Sequence, residues 1–265
     1  MTVSLSFLPV DLSGKRVVVT AGANGIGMVI AEGFVACGAS VYVCDIDENA
    51  VASVIANNRG ILGCVADVSD VAAVDRMFDD IDARLGGVDI LINNAGIAGP
   101  TAGIADISPG DLRKTFEVDV ESMFHCARRS VRHMRASGRG SIINLSSIAG
   151  RLSFAMRTPY AAAKWGVIGF TKSLALELGR EKIQVNAVLP GHVNSSRFRS
   201  VAARKAALIG VTPAEVEAQM LDPVAMGETV EASDIANTIL FLCSPFGAAI
   251  TGQSISVCKG VEMLR

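Results

Sequence analysis

The chain has 265 residues, half of them hydrophobic and only 19% charged, with 24 basic residues almost balancing 26 acidic ones. That composition excludes a disordered polyelectrolyte, and a formal net charge of −2 gives no basic stripe on which to seat nucleic acid. No apolar run reaches the roughly 20 residues that cross a bilayer, so no membrane partner is expected. Met1–Leu12 lacks the basic leader and apolar stretch of a secretory signal. The six scattered cysteines contain no Cys-x-x-Cys pair, and the three histidines are not at metal spacing. These features predict a cytoplasmic protein with reduced thiols and no metal.

In chain order, short runs rich in Val and Ile predict strands at Lys15–Thr20, Ser40–Asp45, Ile61–Val65, Val88–Asn93, Ser141–Ser146 and Ile183–Leu189. A weaker seventh lies at Ser254–Val257. Between them, helical periodicity marks Met28–Ala36, Val71–Leu85, Leu112–Arg135 and Tyr160–Leu178. Apolar runs without alternation suit strands buried on both faces, and their alternation with helices predicts βαβ units. The expected fold is therefore α/β, a doubly wound parallel sheet of about seven strands with helices on both faces. A single domain over residues 1–265 is expected, because no linker or repeat interrupts the chain. The least regular stretch, residues 192–233, reads as an insertion with one or two short helices after the sixth strand. Open α/β sheets bind ligands at that end, so it is expected to cover a substrate.

Gly22, Asn24, Gly25, Ile26 and Gly27 follow the first strand and open a helix. Glycines there let backbone approach a pyrophosphate, and the helix N-terminus offers free N–H groups. Asp45 ends the second strand, placed to accept both adenosine ribose hydroxyls and to repel a 2′-phosphate. Asn24 stands where a cation would favour that phosphate, so NAD is the expected cofactor. Tyr160 and Lys164 lie four residues apart in a helical segment, on one face. A free phenol titrates near 10, and a neighbouring ammonium stabilises the phenolate that a base at neutral pH requires.

With these motifs in order, joined by Asp67-Val68, Asn93-Asn94-Ala95-Gly96, Ser146-Ser147 and Pro190-Gly191, the chain resembles the short-chain dehydrogenase/reductase family from Lys15 to Gly260. The resemblance implies a Rossmann-type fold, a nicotinamide cofactor and hydride transfer to or from a carbonyl carbon. It implies that Ser147, 13 residues before Tyr160, binds the substrate oxygen, that Tyr160 exchanges its proton, and that Lys164 supports the tyrosine and holds the nicotinamide ribose. Asp67 and Val68 would flank adenine. Asn94, Ala95 and Gly96 would line the middle of the cofactor, and Pro190, Gly191 and Val193 would face the nicotinamide. Homotetramers are implied as well.

Three departures stand out. Ala21 replaces a loop glycine, which is tolerable if its φ is negative. Asp119 replaces an asparagine taken to hold a proton-relay water, and its carboxylate would offset the effect of Lys164 on Tyr160. Val257-Cys258-Lys259-Gly260 replaces an aspartate and glycines.

Arg128, Arg129, Arg132, His133 and Arg135 read as a solvated or subunit-facing cluster, and Trp165 as a packing residue. Arg197, Arg199, Arg204 and Lys205 lie in the expected lid, where they could select an anionic substrate. The leading reading is an NAD-dependent dehydrogenase of a sugar, polyol or hydroxy acid. A 3-oxoacyl thioester reductase is the alternative within the family, and a catalytically silent NAD-binding regulator the alternative outside it.

Overall fold

The computed structural model describes residues 10–264, so most of the stretch read as lacking a secretory leader lies outside the described residues. Seven strands form one sheet: β1 (Arg16–Thr20), β2 (Ser40–Asp45), β3 (Ile61–Val65), β4 (Ile90–Asn93), β5 (Gly140–Leu145), β6 (Ile183–Pro190) and β7 (Ser254–Val257). Their order is β3-β2-β1-β4-β5-β6-β7, and every pairing is parallel.

Successive residues of β1 serve opposite faces. Val17 and Val19 pack with Ile30 and Phe34 of α1 (Gly25–Ala36), Val51 and Val54 of α2 (Glu48–Asn57), and Ile235 and Ile239 near the chain end. Val18 packs on the other side with Val74 and Phe78 of α3 (Val71–Arg84) and with Met134 and Leu178. A strand buried on both faces has no polar face to present, which is why these runs do not alternate.

The helix read over Leu112–Arg135 starts three residues earlier. Ser108 caps it by accepting from the Asp111 N–H at 3.0 Å, and Pro109 follows at the first turn, where its missing N–H costs nothing. It is also interrupted. α4 (Pro109–Phe116) passes through a π-turn at Glu117–Glu121 into α5 (Ser122–Ser137). Such bulges cluster at functional sites, and this one carries Asp119.

Arg128, Arg129 and His133 of the basic cluster on α5 pair with α3 of the same chain, while the exposed Arg135 pairs with Glu181. Arg129 reaches Asp75 at 3.0 Å and Asp79 at 2.8 Å, and His133 lies 3.1 Å from Asp82. α6 (Thr158–Leu178) runs beside it. Trp165, expected to pack, is 54% exposed on α6, with Phe124 51% exposed on α5.

The segment after β6 holds α7 (Ser196–Ile209) and α8 (Pro213–Leu221), joined through Ala202, Ala206 and Val216, before α9 (Ala232–Cys243). The two ends of the segment are tied together. Val193 and Val230 form a parallel bridge, with the Val230 N–H donating to the His192 carbonyl at 2.8 Å and the Asn194 N–H to the Val230 carbonyl at 2.9 Å.

Candidate active site

The strand order reverses between β1 and β4, so the connections after these strands diverge and leave a crevice at their carboxyl ends. A cleft of about 670 Å³ opens there. Asn24, Gly25, Ile26, Gly27, Asp45, Asp67 and Val68 line one end. Asn94, Ala95, Gly96, Ser147, Tyr160, Lys164, Pro190, Gly191 and Val193 line the remainder.

Two expected residues are not at its wall. A Cβ on Gly22 would sit 2.7 Å from the Val43 side chain, so this glycine serves packing of the loop on β2. Asp119 lies fully buried behind the wall.

The glycine loop is braced from within. A Cβ on Gly27 would fall 2.1 Å from the Ala21 carbonyl oxygen, which leaves no side chain possible there. Asn94 Nδ2 donates to the carbonyls of Thr20 (2.9 Å) and Ala21 (3.0 Å), while Thr20 Oγ1 accepts the N–H groups of Asn94 and Ala95 at 3.0 Å each. Asn94 thus shapes the loop as well as lining the cleft. Ala21 has φ +49°, so the tolerance expected from a negative φ is not how this alanine is accommodated. It holds a left-handed conformation that costs an L-residue about 1–2 kcal/mol.

The α1 N-cap, Asn24, makes no side-chain cap hydrogen bond, which leaves the first helical N–H groups to the cleft. This cradle, with a carboxylate at the end of β2, fits a dinucleotide. Asp45 Oδ2 lies 3.4 Å from the Ala23 N–H, and the adjacent Ile46 is 73% exposed. Asp67 is held by the Ser69 N–H (2.9 Å) and by Lys114 Nζ at 3.4 Å. Burial opposes its ionisation, but the Ser69 hydrogen bonds and the Lys114 charge prevail and keep its pKa below the usual carboxylate value.

At the other end, Lys164 Nζ lies 5.6 Å from the centre of the Tyr160 ring and donates to the Leu145 carbonyl at 3.1 Å. Ser146 and Ser147 both border the cleft. The Ser146 hydroxyl donates to the Lys164 carbonyl at 2.8 Å, whereas Ser147 Oγ accepts only the Ala149 N–H, at 3.1 Å, and keeps its own proton for another partner.

Asp119 Oδ1 accepts the Ile97 N–H at 2.6 Å, and Oδ2, without a hydrogen-bond partner, lies 3.8 Å from Lys164 Nζ. Burial raises the Asp119 pKa, while Lys164 and the Ile97 N–H restrain the rise. The site therefore contains a buried carboxylate–ammonium pair. A Cβ on Gly96 would be 3.1 Å from Asp119 Oδ1 and 3.3 Å from Lys164 Nζ, so a side chain there would crowd the pair.

Sequence reasoning missed two charged lining residues. Lys114, from α4, tethers Asp67. Arg157, just ahead of α6, lays its guanidinium 4.2 Å from the Tyr160 ring centre and donates to the Ala98 carbonyl at 2.8 Å. No local signal in the sequence marks Arg157, whose partner at Ala98 lies far away along the chain. Of the four lid cations, only Arg197 reaches this cleft. Arg204 lines an adjoining recess of about 330 Å³, while Arg199 turns to Asn194.

Lys259, in the departure near the chain end, has φ +50° and pairs with Glu228 at 2.5 Å, while the Met226 N–H donates to its carbonyl at 3.1 Å. It fills a glycine-like backbone site and fastens the end of β7 to the segment that follows β6.

A seven-stranded parallel sheet with a Ser, Tyr and Lys converging beside a glycine-loop cleft defines a class of nicotinamide oxidoreductases, and the chain belongs to the short-chain dehydrogenase/reductase family. A family model described as Enoyl-(Acyl carrier protein) reductase matches residues 20–262. Among the relatives it resembles is (2S)-[(R)-hydroxy(phenyl)methyl]succinyl-CoA dehydrogenase subunit BbsD of Thauera aromatica, 34% identical over 94% of this chain and 97% of that one. Among solved structures, a single-residue variant of actinorhodin polyketide ketoreductase with NADPH superposes with a TM-score of 0.90 at 31% identity, over 94% of this chain and 97% of its own. An NAD+-bound xylitol dehydrogenase gives 0.90 at 26%, over 94% and 99%.

Proposed function

We propose that the protein is an NAD-dependent dehydrogenase that oxidises a secondary alcohol to the ketone. The observation that carries this reading is the convergence of Tyr160, Lys164 and Ser147 on the wall of a cleft whose far end carries Asp45. Asn24, Gly25, Ile26, Gly27, Asp45, Asp67 and Val68 would hold the adenosine and pyrophosphate. Asn94, Ala95, Gly96, Pro190, Gly191 and Val193 would hold the nicotinamide half. When bound, NAD+ supplies the hydride acceptor.

Ser147 donates a hydrogen bond to the carbinol oxygen and fixes its orientation. Tyr160 takes the hydroxyl proton as the adjacent C–H leaves with its electron pair, so alcohol becomes ketone and one proton is released. Lys164 supports the phenolate from one helical turn away, and Asp119 sets how strongly it does so. Asp45 favours NAD because a 2′-phosphate would meet its carboxylate, with Ile46 rather than a cation beside it.

A ketoreductase reading has the polyketide ketoreductase with NADPH in its favour. A measured preference for NADPH would select it. The exposed Phe124, Trp165 and Leu176 on α5 and α6 favour a homo-oligomer, the tetramer implied by the resemblance, with α5 and α6 paired between subunits. The six free cysteines fit a reducing, cytoplasmic setting.

The test is NADH formation with a panel of secondary alcohols. Tyr160→Phe is expected to abolish turnover while NADH still binds, as followed by its fluorescence. Undiminished turnover in that variant, or no binding of either nicotinamide cofactor to the parent, would sink the reading.

A further inference from the structure

We propose that the substrate end of the cleft is a carboxylate site formed by Arg157 and Arg197, and that the substrate is a short hydroxy acid. This assignment rests on the dehydrogenase reading above and narrows its substrate class. Both arginines line the cleft, Arg157 from just ahead of α6 and Arg197 from the start of α7. Arg157 stacks on the Tyr160 ring, and Arg197, on the first turn of α7, donates to the Gly96 carbonyl at 2.7 Å.

Among the described residues neither is within 4.0 Å of a carboxylate, although nearly every arginine of α3 and α5 that makes an ion pair does so at 2.6–3.1 Å. Arg157 is the more telling of the two. Its Nε is buried with no hydrogen-bond partner, and burial, with repulsion from Arg204 and Arg197, disfavours its charge despite Tyr160 and the more distant Asp119. A guanidinium stays protonated in proteins, so the cost of burying this cation, offset in part by the Ala98 carbonyl and the Tyr160 ring, is relieved further by an anion.

The acids that border the cleft do not supply one. Asp45 and Asp67 stand at the adenosine end, and Asp119 lies behind Lys164. The cleft is acidic where the ribose would lie and cationic where the alcohol would.

Position fixes the kind of anion. Arg157 touches the ring of the residue that would exchange the carbinol proton, so its anion lies within a few bonds of the reacting carbon. That suits a 2- or 3-hydroxy acid, whose planar carboxylate matches a guanidinium fork. A charge far from the carbinol, as on a phosphorylated tail, would instead reach Arg204 and Lys114 in the neighbouring recess.

The experiment compares 3-hydroxybutyrate with its uncharged methyl ester, using NAD+ and reading the ratio of their kcat/KM values. The ratio cancels any general damage to the site. The parent should favour the acid, and Arg197→Gln should reduce that preference by about tenfold or more, as should Arg157→Gln. Calorimetric titration with butyrate, which has no carbinol, should show saturable binding to the parent that Arg197→Gln abolishes.

An ester used as well as the acid, or a ratio unmoved by both substitutions, overturns the assignment. Binding of inorganic phosphate without butyrate overturns it too. Should neither compound turn over, the dehydrogenase reading fails for this substrate class while butyrate binding still decides the carboxylate site: saturable and lost in Arg197→Gln upholds it, absent removes it.

Discussion

Replacing Asp119 by asparagine removes one buried negative charge and little else. Asn Oδ1 can still accept the Ile97 N–H, which now donates at 2.6 Å, so the π-turn keeps its anchor. The electrostatic change follows from two distances. Asp119 Oδ2 is 3.8 Å from Lys164 Nζ, which is itself 5.6 Å from the Tyr160 ring centre, so carboxylate and ring are separated by at most about 9 Å. With an effective dielectric constant of about 20–40, an anion at that range disfavours a phenolate by roughly 1–2 kcal/mol, or about one pH unit. The sign is fixed by like charge: ionised Asp119 opposes the base form, and its removal favours it. Burial raises the Asp119 pKa, while Lys164, 3.8 Å away, and the Ile97 N–H favour the ionised form that the substitution removes. The acid limb of the pH profile of kcat/KM should therefore move down by about one unit in Asp119→Asn. Profiles of parent and variant measured between about pH 5.5 and 10 decide the matter. Superimposable limbs, or a limb moved upward, would refute the reasoning.

Three further outcomes are expected. Asp45→Ser combined with Ile46→Arg should turn the ratio of NAD+ to NADP+ efficiency towards NADP+ by about a hundredfold, from lost repulsion and a gained charge-assisted contact; a parent that already prefers NADP+ in initial-rate assays would contradict it. Ala21→Gly should stabilise the protein by about 0.5–1 kcal/mol, since relief of the left-handed strain exceeds the added freedom of the unfolded chain, and urea midpoints report it. A lowered midpoint would contradict it. Lys259→Gly should unfold at nearly the parent temperature, because the φ of +50° suits glycine and the ion pair lost is a surface one, whereas Lys259→Ala should unfold at a lower temperature. Equal melting of the two variants in a thermal scan would show that backbone conformation is not what this position selects.

The sheet was readable because its strands are buried on both faces. Val17, Val18 and Val19 form an unbroken apolar run for the same reason that they divide between two cores. Tyr160 and Lys164 were readable because four residues along a helix is a local distance. Features that depend on contacts between distant segments were not. Nothing in Phe116–Val120 announces a π-turn, yet that turn sets Asp119 beside Ile97 and Lys164. Arg157 looks like any surface arginine until α6 and the loop at Ala98 meet around it. Gly22 resembles its loop neighbours in sequence and differs from them only through Val43. Arg128, Arg129 and His133 of α5 gave no sign that their partners were the aspartates of α3. The start of α4 was missed although Ser108-Pro109 spelled it, because the apolar rhythm begins only at Leu112.

The backbone bridge between Val193 and Val230 has an evolutionary corollary. It closes the segment into a self-contained cassette whose entry and exit are fixed to each other, so residues between them can be replaced, lengthened or shortened without pulling β6 out of register. On the proposed function, the groups for hydride transfer and coenzyme choice lie elsewhere in the chain, which leaves this cassette free to diversify. Part of the substrate pocket can then be rewritten within one stretch while the reaction stays the same.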